Sequence, residues 1–237
     1  MQTDRYQPSQ VRTREIDQGL RQHMNNIYTK MTAGVLVTAI TAWIVGSSPL
    51  LLNLFLGGPQ AYIVMFAPLA IVWFGFNPQR MKASQLRIAF FALSALYGVS
   101  FSTIAVAMAD PVFAVTVAKA FFIATGMFAG VSALGYTTKK DLTPIRTFGS
   151  MAIIGLVIAS VLNVFVFKSS GMDIILSFIA IPLFAGITAW QTQAMKEMYS
   201  PSMPQELANR MGWSAALTLY ISFIAMFTHI LNLMSQR

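Results

Sequence analysis

The sequence contains no cysteine and only two histidines, His23 and His229. The lack of cysteine excludes a disulfide framework, a thiolate nucleophile and a cysteine-ligated metal site. Two histidines are too few for a zinc site. Charged residues are also scarce, at 10% of the chain, whereas a soluble domain carries about 25%. Too few charges remain to cover a water-soluble globule, and this excludes an ordinary cytosolic enzyme.

Apolar residues are correspondingly abundant. They make up 56% of the 237 residues, and the mean hydropathy is +0.62. Between Lys30 and Arg80 lie 49 residues without a charge, too many for one membrane crossing of about 20 helical residues. Turn signals at 46–49 and 57–60 divide this stretch. Runs of this kind predict helices, since a membrane barrel would alternate within segments of about ten residues.

The sequence therefore predicts an all-α membrane protein. Its seven transmembrane helices are expected near 31–48, 60–76, 87–109, 112–136, 148–168, 173–195 and 212–234.

The basic residues predict the orientation of these helices. Thirteen of the sixteen Lys and Arg residues lie in the N-terminal segment and in the second, fourth and sixth loops. The opposite side receives Lys168 and Arg237, and Lys119 lies within a span. Because basic residues are enriched in cytoplasmic loops, we expect a cytoplasmic N-terminus and a periplasmic C-terminus. The net charge of +8 then follows from topology, and no nucleic-acid partner is expected.

Residues 1–30 form a separate predicted unit before the membrane domain of residues 31–237. Ile16, Leu20, Met24, Ile27 and Met31 recur at spacings of three and four residues. This pattern predicts a short amphipathic helix. It either lies along the cytoplasmic membrane surface or packs on the helix bundle. The segment has no apolar core of a cleaved signal peptide, so we expect the first span to direct insertion.

Polar residues in or near the predicted spans are candidates for function, because polar groups are costly in hydrocarbon. Lys119 is the one formal charge within a span. It either extends toward the membrane surface or pairs with Asp110, or else it faces a cavity. His229 lies near the outer end of the last span, where a hydrogen-bonded interface position and a functional one are both open. We treat Lys119, Asp110 and His229 as possible pathway or gate residues.

Other sequence features concern packing and catalysis. Gly126 and Gly130 have the small-xxx-small spacing that allows a close contact between helices. The spans contain no protease-like arrangement of Ser, His and an acid, and the chain has neither a zinc-binding HExxH pattern nor a glycine-rich phosphate loop. The sequence therefore predicts no enzymatic activity, no catalytic or metal-ligating residue, and no cofactor.

Two stretches of sequence carry a family resemblance. The first includes Gly135-Tyr136-Thr137-Thr138-Lys139-Lys140-Asp141-Leu142. The second is Phe184-Ala185-Gly186-Ile187-Thr188-Ala189-Trp190-Gln191-Thr192-Gln193, followed by Ala216-Leu217-Thr218-Leu219-Tyr220-Ile221-Ser222-Phe223. The chain resembles the Bax inhibitor (transmembrane Bax inhibitor motif) family, as a bacterial inner-membrane member, over essentially its whole length.

The resemblance implies a seven-helix bundle in which the last helix is central. It also implies a pH-sensitive calcium leak and, in bacteria, modulation of a membrane protease. In the family pattern the sixth helix carries Tyr-Asp-Thr-Gln and the seventh carries Leu-Tyr-Leu-Asp-Phe. The two aspartates share protons and serve as latch and pH sensor, because two close buried carboxylates cannot both ionise easily.

This sequence replaces both aspartates. Gln191 stands at the first position and Ser222 at the second. Neither side chain titrates, so we expect a hydrogen-bonded latch that neither senses pH nor supplies the carboxylates that calcium usually takes. Two functions remain open. The protein is a cation (calcium) leak channel or transporter without the aspartyl switch, or a non-transporting regulator that binds a membrane quality-control protease.

Overall fold

The computed structural model describes the backbone of residues 8–236 and, except at residues 8–17, 73 and 74, their side chains. Within this range the chain forms eight α-helices and no strand, which confirms the all-α class. The helices are α1 (Pro8–Gly46), α2 (Pro49–Leu56), α3 (Gln60–Ala70), α4 (Ala83–Ala107), α5 (Pro111–Thr137), α6 (Thr143–Leu162), α7 (Ser170–Met198) and α8 (Gln205–Ser235). Wider π-helical turns extend α3 through Ile71–Gly75 and α6 through Asn163–Phe167.

Six of the described helices are long and apolar enough to cross a membrane: α1 from Gln18 onward, α4, α5, α6 with its π turn, α7 and α8. The pair α2 and α3 is a seventh candidate, but its two helices meet at a bend of 74°. The described part of the chain thus holds six spans, or seven if the bent pair makes one crossing.

The predicted boundary between the N-terminal segment and the first span has no counterpart in the backbone, because α1 is continuous from Pro8 to Gly46. No proline interrupts this stretch after Pro8. Met24, Ile27 and Met31 are buried in the core of the bundle. The predicted apolar stripe therefore packs on the other helices, as the second interpretation had it. Residues 1–7 and the side chain of Ile16 lie outside the described residues.

A short helix that the sequence analysis did not predict, α2, occupies the stretch between the two turn signals. It begins because the Ser48 hydroxyl accepts a hydrogen bond from the Leu51 amide at 3.4 Å, and because Pro49 fits the first helical turn. It ends at Gly57. Ser48-Pro49 is therefore a helix start as well as a turn signal.

The last helix is the most buried of the spanning helices. In the most apolar stretch of α8, 61% of the residues are buried, against 39% for α7 and 11% for α6. It packs against α1, α4, α5 and α7. Tyr220, Leu219 and Met226 on α8 have no exposed surface. The residues around the second recognised stretch therefore lie in the core of the bundle.

The close contact that the spacing allows at Gly126 and Gly130 is not made by any other helix of the described chain. A Cβ atom added at either glycine would meet no atom of another helix within 4 Å, and both residues are exposed on α5. The small-xxx-small spacing permits a close approach without showing which face meets a neighbour. The close approach on α5 occurs one turn further along the chain, at Gly135, where a Cβ atom would run into the backbone carbonyl of Ala189 on α7.

Candidate functional site

Helices α7 and α8 are joined at the two positions where the family resemblance places its acidic pair. Ser222 is only 2% exposed, and its hydroxyl donates a hydrogen bond to the side-chain oxygen of Gln191 at 3.2 Å. The structure thus brings these two residues together, as the sequence analysis expected. Both groups are neutral, and the hydrogen bond satisfies a hydroxyl that would otherwise be buried without a partner.

A second buried hydrogen bond lies two residues earlier on α8, at Tyr220, and links α8 to α1. The Tyr220 and Thr38 hydroxyl oxygens are 2.7 Å apart. The Thr38 hydroxyl also lies 2.9 Å from the carbonyl oxygen of Ser94 and 3.0 Å from that of Gly34. A carbonyl oxygen can only accept, so Thr38 donates to one of these carbonyls and accepts from Tyr220. One hydroxyl pair therefore ties α8 to α1, and Thr38 continues the link to α4.

The four residues Trp190 to Gln193 each contact a different part of the bundle. Besides Gln191, which holds α8, Trp190 lies beneath the guanidinium of Arg146 on α6, 5.3 Å from the centre of its ring. The Thr192 hydroxyl lies 3.5 Å from the Tyr28 hydroxyl of α1. This short segment of α7 is therefore a junction where α1, α6 and α8 meet.

Gln193 fixes the loop before α6. Its side-chain nitrogen donates to the carbonyl oxygen of Lys140 at 2.8 Å, and its side-chain oxygen accepts from the amide of Leu142 at 3.0 Å. Gln193 is almost fully buried. The amide side chain therefore satisfies one acceptor and one donor of the loop at once, as a backbone strand would.

The two stretches that carry the family resemblance contact each other through Gln193 and Gly135, and Lys196, three residues beyond the first part of the second stretch, adds a contact with Tyr136. The Lys196 ammonium donates to the carbonyl oxygen of Tyr136 at 2.9 Å and lies 5.1 Å from the centre of the Tyr136 ring. Gly135 allows α5 to approach the backbone of α7 at Ala189. Gly135, Tyr136 and Gln193 belong to the stretches that carry the resemblance, and the structure brings them together at one end of the bundle.

Asp141 lies in the same loop and faces solvent. The Thr143 amide donates to its carboxylate at 2.8 Å. Hydrogen bonds from the side chain and backbone of Thr143 lower the pKa of Asp141 below its ordinary value. The carboxylate stands just before α6, where a negative charge also favours the first helical turn.

A cavity of about 260 Å³ lies between α7, α8 and the loop after α3, and Gln191 forms part of its wall. Among the described residues that line it, Arg210 carries the one formal charge. The Arg210 guanidinium donates to the carbonyl oxygen of Pro78 at 2.8 Å from Nε, and also from Nη2. The remaining lining includes Trp190, Met195, Met211, Ser214 and Thr218. Sequence reasoning missed Arg210, which counted there only as a basic loop residue.

The other candidate residues lie apart from the Gln191–Ser222 pair. His229 is seven residues beyond Ser222 on α8, about 10 Å along the helix, and its Nδ1 lies 3.1 Å from the Ser177 hydroxyl. Asp110 caps α5 by accepting from the Val112 amide at 3.0 Å. Lys119 is exposed and does not point into the core. The structure thus brings none of these three to Gln191.

Within the described residues, no group of three or more His, Asp or Glu side chains lies close enough to hold a metal ion. The Gln191–Ser222 region offers neutral oxygen atoms and one nearby cation. It is suited to a hydrogen-bonded contact between helices, and it lacks the carboxylate ligands that calcium usually takes.

Comparison with known proteins places these features in a wider group. A family model described as "Inhibitor of apoptosis-promoting Bax1" matches residues 20–237. The chain is 34% identical to the "uncharacterized protein RP147" of Rickettsia prowazekii, over 95% of this chain and 94% of the relative. It is 33% identical to the "inner membrane protein YbhL" of Escherichia coli, over 92% and 93% of the two chains. An uncharacterized protein of Deinococcus radiodurans is 32% identical over 98% and 97%.

Proposed function

Because this chain belongs to the Bax inhibitor family, we propose that it is a cation leak channel or transporter, with calcium among its ions, whose helices α7 and α8 are latched by the neutral Gln191–Ser222 pair. It is a multi-pass membrane protein, and the name of its Escherichia coli relative supports the inner membrane as its location. The observation that carries the proposal is the 3.2 Å hydrogen bond from Ser222 to Gln191.

The cavity beside Gln191 supports a gate at this point. It reaches Gln191 from the end of the bundle that holds the loop after α3 and the start of α8. Arg210 bridges that mouth to the backbone of Pro78. In the proposed closed state, the latch holds α7 against α8 and blocks the route beyond Gln191. Separation of the two helices would extend the cavity into the bundle.

The proposed topology has seven crossings, with α2 and α3 together as the second and α8 enclosed by the other helices. Gln60 to Gly75, counting the π turn, covers about 24 Å at 1.5 Å per residue, which is most of a hydrocarbon core of about 30 Å, and α2 lies across one end of this span at the 74° bend. Seven crossings also keep thirteen of the sixteen basic residues on one side. The N-terminus is then cytoplasmic and the C-terminus periplasmic.

Cation flux from liposomes that contain the purified protein tests the latch. Ser222→Ala removes the donor of the hydrogen bond, which is worth about 1 kcal/mol net, so we expect flux to rise about fivefold. Thr188→Val is the matched control, because Thr188 is buried on α7 and, among the described residues, its hydroxyl bonds to the Phe184 carbonyl oxygen of its own helix. An equal change in both variants, or no flux from any of the three proteins, would refute the latched leak.

A non-transporting regulator is the alternative, and the exposure of α6 favours it. This helix packs against α7, and Phe148, Met151, Ile154 and Ile158 are exposed on its other faces. A membrane quality-control protease could dock there. If the protein is such a regulator, a photo-crosslinking residue in place of Ile154 should form an adduct with the protease in cells. Adducts with lipid alone would contradict this alternative.

A further inference from the structure

A deep cleft separates α1 from α5 in the half of the bundle where α1 and α4 end. Both α1 and α5 pack against α8 but scarcely against each other, so a gap remains that α8 and α4 close from behind. The gap has a volume of about 680 Å³. We name it the lateral cleft. Its walls are formed by α1 from Val35 onward and Ser47, by the end of α4, and by α5 between Val117 and Phe122. Phe223, Ile224 and Phe227 of α8 complete the lining.

The lateral cleft opens sideways into the hydrocarbon of the membrane. Trp43 of α1 and Phe122 of α5 stand at its rim and are 69% and 74% exposed. Phe223 and Phe227 of α8 form its floor and are buried. Since α1 and α5 are both membrane-spanning helices, the molecules that reach this opening are the lipids around the protein.

The polar groups of the lateral cleft are already satisfied. The Ser47 hydroxyl donates to the carbonyl oxygen of Trp43 at 2.7 Å. The Thr38 hydroxyl is engaged by Tyr220 and by the carbonyl oxygen of Ser94. Both hydroxyls thus donate or accept within the protein, and the rest of the described lining is almost wholly apolar. A polar occupant would therefore lose its hydration without replacement, whereas a hydrocarbon chain would not.

The dimensions of the lateral cleft match one leaflet of a bilayer. Its lining on α1 runs from Val35 to Ser47, about 18 Å along a helix at 1.5 Å per residue. Half of a hydrocarbon core is about 15 Å. The volume also falls within the range of about 300–1,000 Å³ that is typical of ligand sites. An acyl chain that enters from the leaflet can thus lie along α1 over its full depth.

A positive charge stands beside the opening. Lys119 directly follows Ala118 of the lining and is exposed on α5. A lysine at membrane depth extends its stem toward the headgroups to keep its ammonium solvated. A phosphate placed there gains the attraction that anionic lipids have for basic residues near the membrane surface. This arrangement gives an otherwise costly intramembrane charge a partner.

We propose that the lateral cleft is a binding site for one anionic phospholipid of the surrounding leaflet. One acyl chain occupies the space between α1 and α5, and the phosphate lies against the Lys119 ammonium. The bound lipid packs against Phe223 of α8, which is the residue next to Ser222. The site is separate from the Gln191 cavity, and it stands whether or not the protein conducts ions.

Native mass spectrometry of the purified protein tests this site by titration with phosphatidylglycerol and with phosphatidylcholine of the same acyl chains. Unmodified protein should retain one phosphatidylglycerol in preference to phosphatidylcholine. Ala118→Trp fills the mouth of the lateral cleft and should reduce retention of phosphatidylglycerol at least tenfold. Leu134→Trp is the matched control, because Leu134 is exposed on the same helix, outside the lining and about four helical turns from Lys119, and it should retain the lipid.

Substitutions of Lys119 separate the charge from the cleft. Lys119→Gln should weaken phosphatidylglycerol about fivefold and leave phosphatidylcholine unchanged, whereas Lys119→Arg should preserve the preference. Because Ala118 is exposed, Ala118→Trp should keep the melting temperature of the unmodified protein. If the melting temperature falls, Ala118→Leu is used instead, and it should also reduce the retention of phosphatidylglycerol. Equal retention by Ala118→Trp (or Ala118→Leu) and Leu134→Trp, or equal binding of the two lipids to unmodified protein, would overturn the proposal.

Discussion

The hydroxyl of Tyr220 donates a hydrogen bond to the hydroxyl of Thr38 across 2.7 Å, and this contact joins the last helix to the first in the core of the bundle. Tyr220 has no exposed surface. Its ring also packs against Phe90 and Tyr97 of α4, with ring centres 5.5 and 5.9 Å away. A single residue of the recognised Leu-Tyr-Ile-Ser-Phe stretch thus holds α8 to two other helices.

Tyr220→Phe should lower the stability of the protein in detergent by about 1 kcal/mol, because one buried hydrogen bond is lost while the ring remains. Thermal unfolding measures the change. Tyr62→Phe is the control, since Tyr62 is 57% exposed, and it should leave the melting temperature unchanged. A Tyr220→Phe protein as stable as the control would show that the hydroxyl pair adds nothing to the fold.

Gly135→Ala should destabilise the protein by about 1–3 kcal/mol, because the added methyl group would force α5 away from the backbone carbonyl of Ala189. Gly130→Ala provides the comparison on the same helix. Its methyl group meets open space, and alanine is the better helix former by up to about 1 kcal/mol, so its stability should be equal or higher. Similar unfolding curves for the two variants would contradict the close approach at Gly135.

Accessibility of single cysteines should show residues 4 and 141 on the cytoplasmic side and residue 237 on the periplasmic side. The chain has no native cysteine, so each introduced thiol reports alone to a membrane-impermeant reagent. The expectation follows from the distribution of basic residues and from α2 and α3 acting as one crossing. If residues 4 and 141 were labelled from opposite sides, the bent pair, which lies between them in sequence, would not span the membrane.

The sequence predicted the helical class and most of the spans, because a helix that crosses the membrane requires a long run of apolar residues. The Gln191–Ser222 contact was also expected, through the family resemblance. The contacts of Gln193 with Lys140 and Leu142 could not be predicted, because hydrogen bonds between distant segments have no local pattern. The spacing of Gly126 and Gly130 did not identify the close approach on α5, for a related reason. Small residues four positions apart show that a helix face permits a close approach, but which helix packs on that face depends on the whole bundle.

The start of α1 and the short helix α2 show the same limit at helix boundaries. The sequence between Pro8 and Gly46 contains no breaker near residue 30, so the change from polar to apolar composition there marks a change of surroundings and not a helix end. Ser48-Pro49 combines a helix cap with a residue common in turns. Local propensity supports both outcomes, and packing against the neighbouring helices decides between them.

The neutral latch is tested most directly by cation flux from liposomes between pH 6 and 8, with unmodified protein beside the double variant Gln191→Asp, Ser222→Asp. The unmodified protein should show weak flux that changes little with pH, because neither latch residue titrates. The double variant places two carboxylates 31 positions apart in sequence but adjacent in space, so they should share a proton, restore a pH response and strengthen calcium binding. A steep pH dependence in unmodified protein that survives replacement of His229 would contradict the latch as the site of control.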